Sequence, residues 1–276
     1  MAPPRLCDLV ADAGGTTCRW AVAGSDRTTW QTAGFNACTA ADDTIAQSID
    51  DLAHNLEASG YKPRHIYFYG AGSHTPQGRA RITGALQAHF GSIAVECETD
   101  LLGAARALHG HRPGVVCILG TGANAGVYDG LRLERPVAPL GYILGDEGSG
   151  AFLGKTFLQR LLRGQFPAEV TEHFRRLSDL DEAAVIEQVY RRPGANTFLG
   201  SMCPIIKELA VYQPVSDMIT ESFKAFRTTL GQPAIERLMH TQSQNRPDAP
   251  ATPPDSRPAV GFVGSVAHHF APWLTE

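Results

Sequence analysis

Residues 6–26 read Leu-Cys-Asp-Leu-Val-Ala-Asp-Ala-Gly-Gly-Thr-Thr-Cys-Arg-Trp-Ala-Val-Ala-Gly-Ser-Asp. An apolar run over 6–11 ends at Asp12, a turn follows at Gly14-Gly15-Thr16-Thr17, and a second apolar run spans 20–23. Strand, tight glycine turn, strand is the pattern. The device returns later: 115–119 is apolar, Gly120-Thr121-Gly122-Ala123-Asn124 is a turn, and 125–128 is the returning strand. Two such units in one chain suggest two related halves.

Working outward, residues 41–59 carry Ile45, Ile49, Leu52 and Leu56 at helical spacing. A short strand is expected at 66–69, running into Gly70-Ala71-Gly72. A helix is expected over 82–90, a strand over 93–96, and a helix over 101–109 entered through Thr99-Asp100. Helical spacing resumes over 147–162 and dominates 168–240. Residues 242–258 are polar and Pro-rich and read as a mobile loop. A buried strand is expected at 259–263, then Gly264-Ser265 and a short helix.

The 276 residues are 43% hydrophobic and 19% charged, ordinary for a globular chain with one large or two modest domains. The net charge is −4 with no run of Lys or Arg, which argues against nucleic acid as a partner. Cysteines 7, 18, 38, 97, 117 and 203 are scattered, with no C-x-x-C pair, and read as small buried thiols in a reducing compartment. No stretch has the length of a membrane span and the N-terminus lacks a signal-peptide core, so the expectation is a cytoplasmic protein.

Each chemistry-bearing motif admits two readings. The Gly14–Thr17 turn could bring bare backbone N–H groups to a phosphate, or be a plain hairpin turn. Asp12 could hold a hydrated Mg²⁺ or cap that turn. Gly120-Thr121-Gly122 fails the dinucleotide fingerprint, because a strand follows it instead of a helix. Ser149 to Thr156 fails the P-loop pattern, since Gly is absent at 149 and no apolar strand precedes it; Lys155 reads as solvated. Gly264-Ser265 could support a nucleotide or be a helix N-cap by Ser265. His268 and His269 read as helix surface. Asp100 and Asp146-Glu147 stand at expected helix starts and could be caps, or a paired-carboxylate glycosidase site.

Taken in order, Asp-x-Gly-Gly-Thr (12–16), Gly-Thr-Gly-x-Asn (120–124), Gly-Asp-Glu-Gly-Ser (145–149) and Val-Gly-Ser-Val (263–266) resemble the N-acetylglucosamine kinase and BadF/BadG-type ATPase family. That family belongs to the sugar kinase, actin and Hsp70 superfamily. The stretch 140–153 is the most telling, and the resemblance spans nearly the whole chain. It implies an α/β actin-like ATPase fold: two ribonuclease H-like domains, 1–112 and 113–276, with a helical insertion in the second and a nucleotide cleft between them.

The same resemblance implies roles. The turns Gly14, Gly15, Thr16, Thr17 and Gly120, Thr121, Gly122 would hold the phosphates of ATP. Asp12 would position Mg²⁺ through water. Gly264 and Ser265 would line the adenosine. Asp100 would be the general base, and Asn36, Thr121 and Asp146 would bind the sugar. The expected activity is phosphorylation of the 6-hydroxyl of N-acetylglucosamine or a related amino sugar. A partner-activating ATPase and a non-catalytic sugar sensor are the alternatives. A homodimer is common in such folds. Family members carry more chain after Val-Gly-Ser, whereas eleven residues follow Ser265 here, so a shorter member or a shortened chain is expected.

Overall fold

The structure is a computed structural model that describes residues 3–24, 28–244 and 258–274. It divides into two compact units, residues 1–103 and 104–276. Among the described residues, no helix is long and apolar enough to cross a membrane.

The first unit contains β1 (Arg5–Ala13), β2 (Thr17–Val22), β3 (Thr29–Ala33), α1 (Asp42–Ala58), β4 (Tyr61–Gly70), α2 (Pro76–Phe90), β5 (Ala94–Thr99) and the start of α3 (Asp100–His109). Its sheet has the order β3-β2-β1-β4-β5. The first three strands form an antiparallel meander, and β4 and β5 add in parallel to β1. Alternation decides the faces. Leu9, Ala11 and Ala13 of β1, with Ile66 and Phe68 of β4, point into the core, where Ile45, Ile49, Leu52 and Leu56 of α1 and Ile82 and Leu86 of α2 meet them. Polar groups in that core are paired: the Trp20 indole donates to Thr32 Oγ1 at 3.0 Å, Thr32 and Ser48 hydroxyls lie 2.7 Å apart, and Ser48 Oγ donates to the Ala33 carbonyl at 2.8 Å.

The second unit contains the rest of α3, β6 (Gly114–Leu119), β7 (Ala123–Tyr128), β8 (Leu133–Glu134), α4 (Gly141–Leu144), α5 (Gly150–Leu162), α6 (Ala168–Leu177), α7 (Glu182–Tyr190), α8 (Ala195–Gly200), α9 (Cys203–Leu209) and α10 (Gln213–Phe226). A π turn (Arg227–Gly231), α11 (Gln232–Gln244), β9 (Val260–Val263), α12 (Ser265–His269) and α13 (Ala271–Leu274) complete it. The order β8-β7-β6-β9 repeats the meander-plus-parallel-strand scheme of β3-β2-β1-β4. The two glycine turns noted in the sequence join the corresponding strand pairs. The core joins Val115, Cys117 and Leu119 of β6 to Leu153, Phe157 and Leu158 of α5 and to α10 and α11. Gly154 lets α5 touch α8: a Cβ there would stand 1.9 Å from the Leu199 carbonyl oxygen.

Several expectations are corrected. The strand expected at 66–69 is longer, Tyr61–Gly70, and the parallel ladder takes in Pro63 where the register with β1 slips between Cys7 and Asp8. The helix expected over 82–90 begins at Pro76, because Thr75 Oγ1 accepts the Gly78 amide at 3.0 Å and Pro suits the first turn. The strand expected at 259–263 is not buried: among the described residues β9 pairs with β6 alone, and Val260 and Phe262 are exposed. Residues 242–244 continue α11, and the rest of the loop expected over 242–258, except Pro258, lies outside the described residues. Of the six thiols, Cys38 is exposed and Cys203 half-buried.

Candidate active site

In the first unit three parallel strands end level. Ala13 of β1 lies opposite Gly70 of β4, and Gly70 opposite Thr99 of β5. The residues just past these ends therefore share one edge: the turn 14–16, the loop 71–75, and Asp100. This carboxyl edge is where open α/β sheets bind ligands.

The Gly14 amide donates to the Thr17 carbonyl at 2.9 Å and closes the turn. Gly15 and Thr16 are exposed, and nothing lies within 4 Å of a Cβ built on Gly15. Asp12 is exposed on β1, paired in register with Arg19 of β2 and Tyr69 of β4. A residue that sequence reasoning passed over supports this turn. The Gly34 amide donates to the Thr16 carbonyl at 3.1 Å, and a Cβ on Gly34 would stand 2.1 Å from the Thr17 nitrogen. A glycine directly ahead of the Phe35-Asn36 pair was the available signal.

Asn36 follows at the same edge. Its Oδ1 accepts the Cys38 amide at 2.9 Å, and its carbonyl accepts Thr39 and Ala40 amides at 3.1 and 2.9 Å. Since a backbone amide can only donate, the atom on Cys38 is the Asn36 amide oxygen, which leaves the NH₂ group as a donor for another partner. Arg81 braces this turn, donating to the Ala37 carbonyl at 3.0 Å, the Ala40 carbonyl at 2.7 Å and Asp42 Oδ1 at 2.8 Å.

Asp100 opens α3 half-buried, and its Oδ1 accepts the Leu101 amide at 2.8 Å. The Thr99 hydroxyl accepts the Leu102 amide at 3.2 Å, so Thr99 supplies the cap one position earlier than expected.

In the second unit the turn 120–122 joins β6 to β7, with the Gly120 amide on the Gly122 carbonyl at 3.0 Å. The first turn of α5 is tied to it: Gly150 and Ala151 amides donate to the Gly120 and Thr121 carbonyls at 2.8 and 3.1 Å. Gly264 lies against the same backbone, with φ of +109° and a Cβ position 2.3 Å from the Leu119 carbonyl oxygen. It occupies the N-cap position of α12, so Ser265 is not the cap. A cavity of about 60 Å³ opens among Gly120, Thr121, Gly150, Gly200, Ser265 and His269. Ligand-sized pockets run to roughly 300–1,000 Å³, so this cavity by itself takes no more than a small group. His268 and His269 are exposed, as expected.

Asp146 is not a helix cap. Ser149 caps α5, its Oγ accepting the Phe152 amide at 3.1 Å. Asp146 instead adopts φ of +55°, alone among the non-glycine described residues in having positive φ. Its carbonyl accepts the Ser149 amide at 3.0 Å, and its carboxylate lies against Gly122, whose Cβ would stand 2.9 Å from Oδ2. Burial pushes its pKa up and neighbouring Glu147 adds to that, while the Ala123 amide and the Lys155 charge pull it back. Lys155 is half-buried, contrary to the solvated reading. Its Nζ donates to the Tyr142 carbonyl at 3.3 Å and lies 5.3 Å from the Phe152 ring centroid. Thus the second unit gathers Thr121, Asp146, Gly264 and Ser265 around one turn, and the first unit gathers Asp12, Gly14–Thr17, Asn36 and Asp100 along one edge.

No protein-family profile and no curated protein matches the chain. Solved structures do: two putative N-acetylglucosamine kinases align with it. The one from Porphyromonas gingivalis is 36% identical with a TM-score of 0.80, covering 97% of this chain and 89% of its own. The one from Chromobacterium violaceum is 22% identical with a TM-score of 0.64, covering 97% and 90%, and shares the fold. On the identity and coverage of the first of these, the chain belongs to the N-acetylglucosamine kinase family, within the sugar kinase and actin-like ATPase class.

Proposed function

We propose that the chain is an ATP-dependent sugar kinase that phosphorylates the 6-hydroxyl of N-acetylglucosamine or a related amino sugar, each of its two units being a ribonuclease H-like domain. One observation carries the reading. The Asp100 carboxylate stands on the same carboxyl edge of one sheet as the glycine turn 14–17. Phosphoryl transfer needs a phosphate cradle and a base for the acceptor hydroxyl, and little else of a covalent kind.

Each residue then has a part. Asp100 accepts the acceptor proton as the oxygen bonds to the γ-phosphorus and the bond to the ADP oxygen breaks. Backbone groups of 14–17 and 120–122 hold phosphate oxygens. Gly264 and Ser265 line the adenosine. Asn36 donates to a sugar oxygen, Asp146 accepts from sugar hydroxyls, and Thr121 adds a further sugar contact. Asp12 fits a hydrated Mg²⁺, since an exposed carboxylate beside a phosphate turn suits a cation that keeps most of its waters. Bound there, Mg²⁺ supplies charge neutralisation on the phosphates.

The test is ADP release from Mg-ATP with and without a panel of amino sugars and plain hexoses. Strong stimulation by one sugar with stoichiometric sugar phosphate supports the kinase. ADP release indifferent to sugar supports a partner-coupled ATPase, and sugar binding without turnover supports a sensor.

A further inference from the structure

We infer that Lys155 is a positioning residue for the sugar site: its ammonium, seated on the Tyr142 carbonyl, holds residues 142–146 in the shape that presents the Asp146 carboxylate. The inference deepens the proposed function and rests on Asp146 being a sugar ligand.

The starting point is the backbone of Asp146. A non-glycine residue at φ of +55° persists where its surroundings over-determine it, and such residues concentrate at ligand sites. Three contacts supply the constraint. The Ser149 amide holds the Asp146 carbonyl from the start of α5. The turn 122–123 holds the carboxylate, through the Ala123 amide and the close approach of Gly122. Lys155, in the second turn of α5, holds the Tyr142 carbonyl on the approaching side. Between Tyr142 and Asp146 the chain makes only a short helix, with the Gly145 amide on the Gly141 carbonyl at 2.8 Å. That helix buries no residue: Ile143 and Leu144 are exposed, as is Leu140 before it. Tyr142 is the half-buried side chain of that helix, packed against the core of the second unit, and the Lys155 contact on its carbonyl ties the same point to α5.

The charge matters as well as the contact. Asp146 is half-buried, so its ionised form is disfavoured by desolvation. The charged groups that face it are Glu147 on its own segment, which disfavours ionisation further, and Lys155 on α5, which favours it. The β6–β7 turn contributes only backbone. A carboxyl accepts sugar hydroxyls more strongly, and through both oxygens, when it is ionised, and the Lys155 charge favours that form.

Lys155→Met keeps an unbranched apolar stem of similar length and removes the charge. The expected result is a rise in the sugar KM of about tenfold, the scale of one lost charge-assisted hydrogen bond, with the ATP KM within about twofold. The acid limb of kcat/KM for sugar moves to higher pH, because Asp146 then protonates more readily. Lys155→Arg restores most of both. Equal changes in the two KM values with an unmoved acid limb overturn the inference.

A second measurement separates this from the kinase reading. Stability is compared from pH 4 to 7 for wild type, Lys155→Met, Asp146→Asn and the double variant. The stability lost on Lys155→Met grows more steeply with pH where Asp146 is present than in the Asp146→Asn background, where the Asp146 titration is gone. Glu147 is common to all four proteins and cancels. A coupling that does not vary with pH overturns the inference. A pH-dependent coupling in a protein that phosphorylates no sugar leaves the Lys155–Asp146 relation standing and removes the kinase reading alone.

Discussion

Gly34 and Thr17 approach so closely that a Cβ on Gly34 would stand 2.1 Å from the Thr17 nitrogen and 2.3 Å from the Gly14 carbonyl oxygen. The turn proposed to cradle phosphate is thus backed by bare backbone from the end of β3. A methyl group at 34 must push the turn or β3 aside. Gly34→Ala should lose at least about 1–3 kcal/mol of stability by overpacking, and raise the ATP KM well beyond the sugar KM. Thermal melts and paired KM measurements check this. An Ala variant of wild-type stability and ATP affinity would show that the turn has slack the structure does not show.

Asp100→Asn keeps the shape of the helix start, since the amide oxygen can still accept the Leu101 amide. It removes the proton acceptor. The expected outcome is ATP binding within about twofold of wild type and kcat reduced at least about 10²-fold. Near-normal turnover would take Asp100 out of the base role.

Asp146→Asn separates stability from function. Burial raises the folded-state pKa of Asp146 above its ordinary 3.8. Stability linked to this group is therefore full below that value and is lost as pH rises through the raised one. At pH 7 the variant no longer buries a charge, and Asn tolerates the left-handed backbone as well as Asp does. Its Tm at pH 7 should equal or exceed that of wild type, while the sugar KM rises far more than the ATP KM. A lower Tm at pH 7 together with an unchanged sugar KM would make Asp146 a structural residue.

Gly264→Ala meets two obstacles at once, a φ of +109° and the Leu119 carbonyl oxygen 2.3 Å away. It should destabilise the second unit and weaken ATP binding through Ser265. Intrinsic stability and ATP titrations check it, and Ser265→Ala, which strains nothing, should weaken ATP with Tm unchanged.

How much of this could be read from sequence follows from what glycine and alternation announce. Both glycine turns declared themselves because a run of apolar residues stops, bare backbone follows and the run resumes; their strands, β1, β2, β6 and β7, lie where that pattern puts them. β3 was missed because Thr29–Ala33 is short and polar, and only the register with β2 makes it a strand. Capping misled at both acidic sites. Asp is a good cap in general, yet Thr99 and Ser149 take the hydroxyl-to-amide bonds that cap α3 and α5, so neither Asp100 nor Asp146 is needed for that purpose. Gly34 and Lys155 acquire meaning only from what packs against them, and no local pattern reports a neighbour that is distant along the chain.

In the proposed kinase one strand edge joins a phosphate turn to a base for a sugar hydroxyl. The most direct measurement is ³¹P NMR of the protein with Mg-ATP and a panel of amino sugars that includes N-acetylglucosamine. The account predicts a phosphomonoester coupled to the protons on C6 of one of these sugars, formed one for one with ADP and abolished by Asp100→Asn. Inorganic phosphate as the only product, at a rate indifferent to any sugar and to Asp100→Asn, would contradict it.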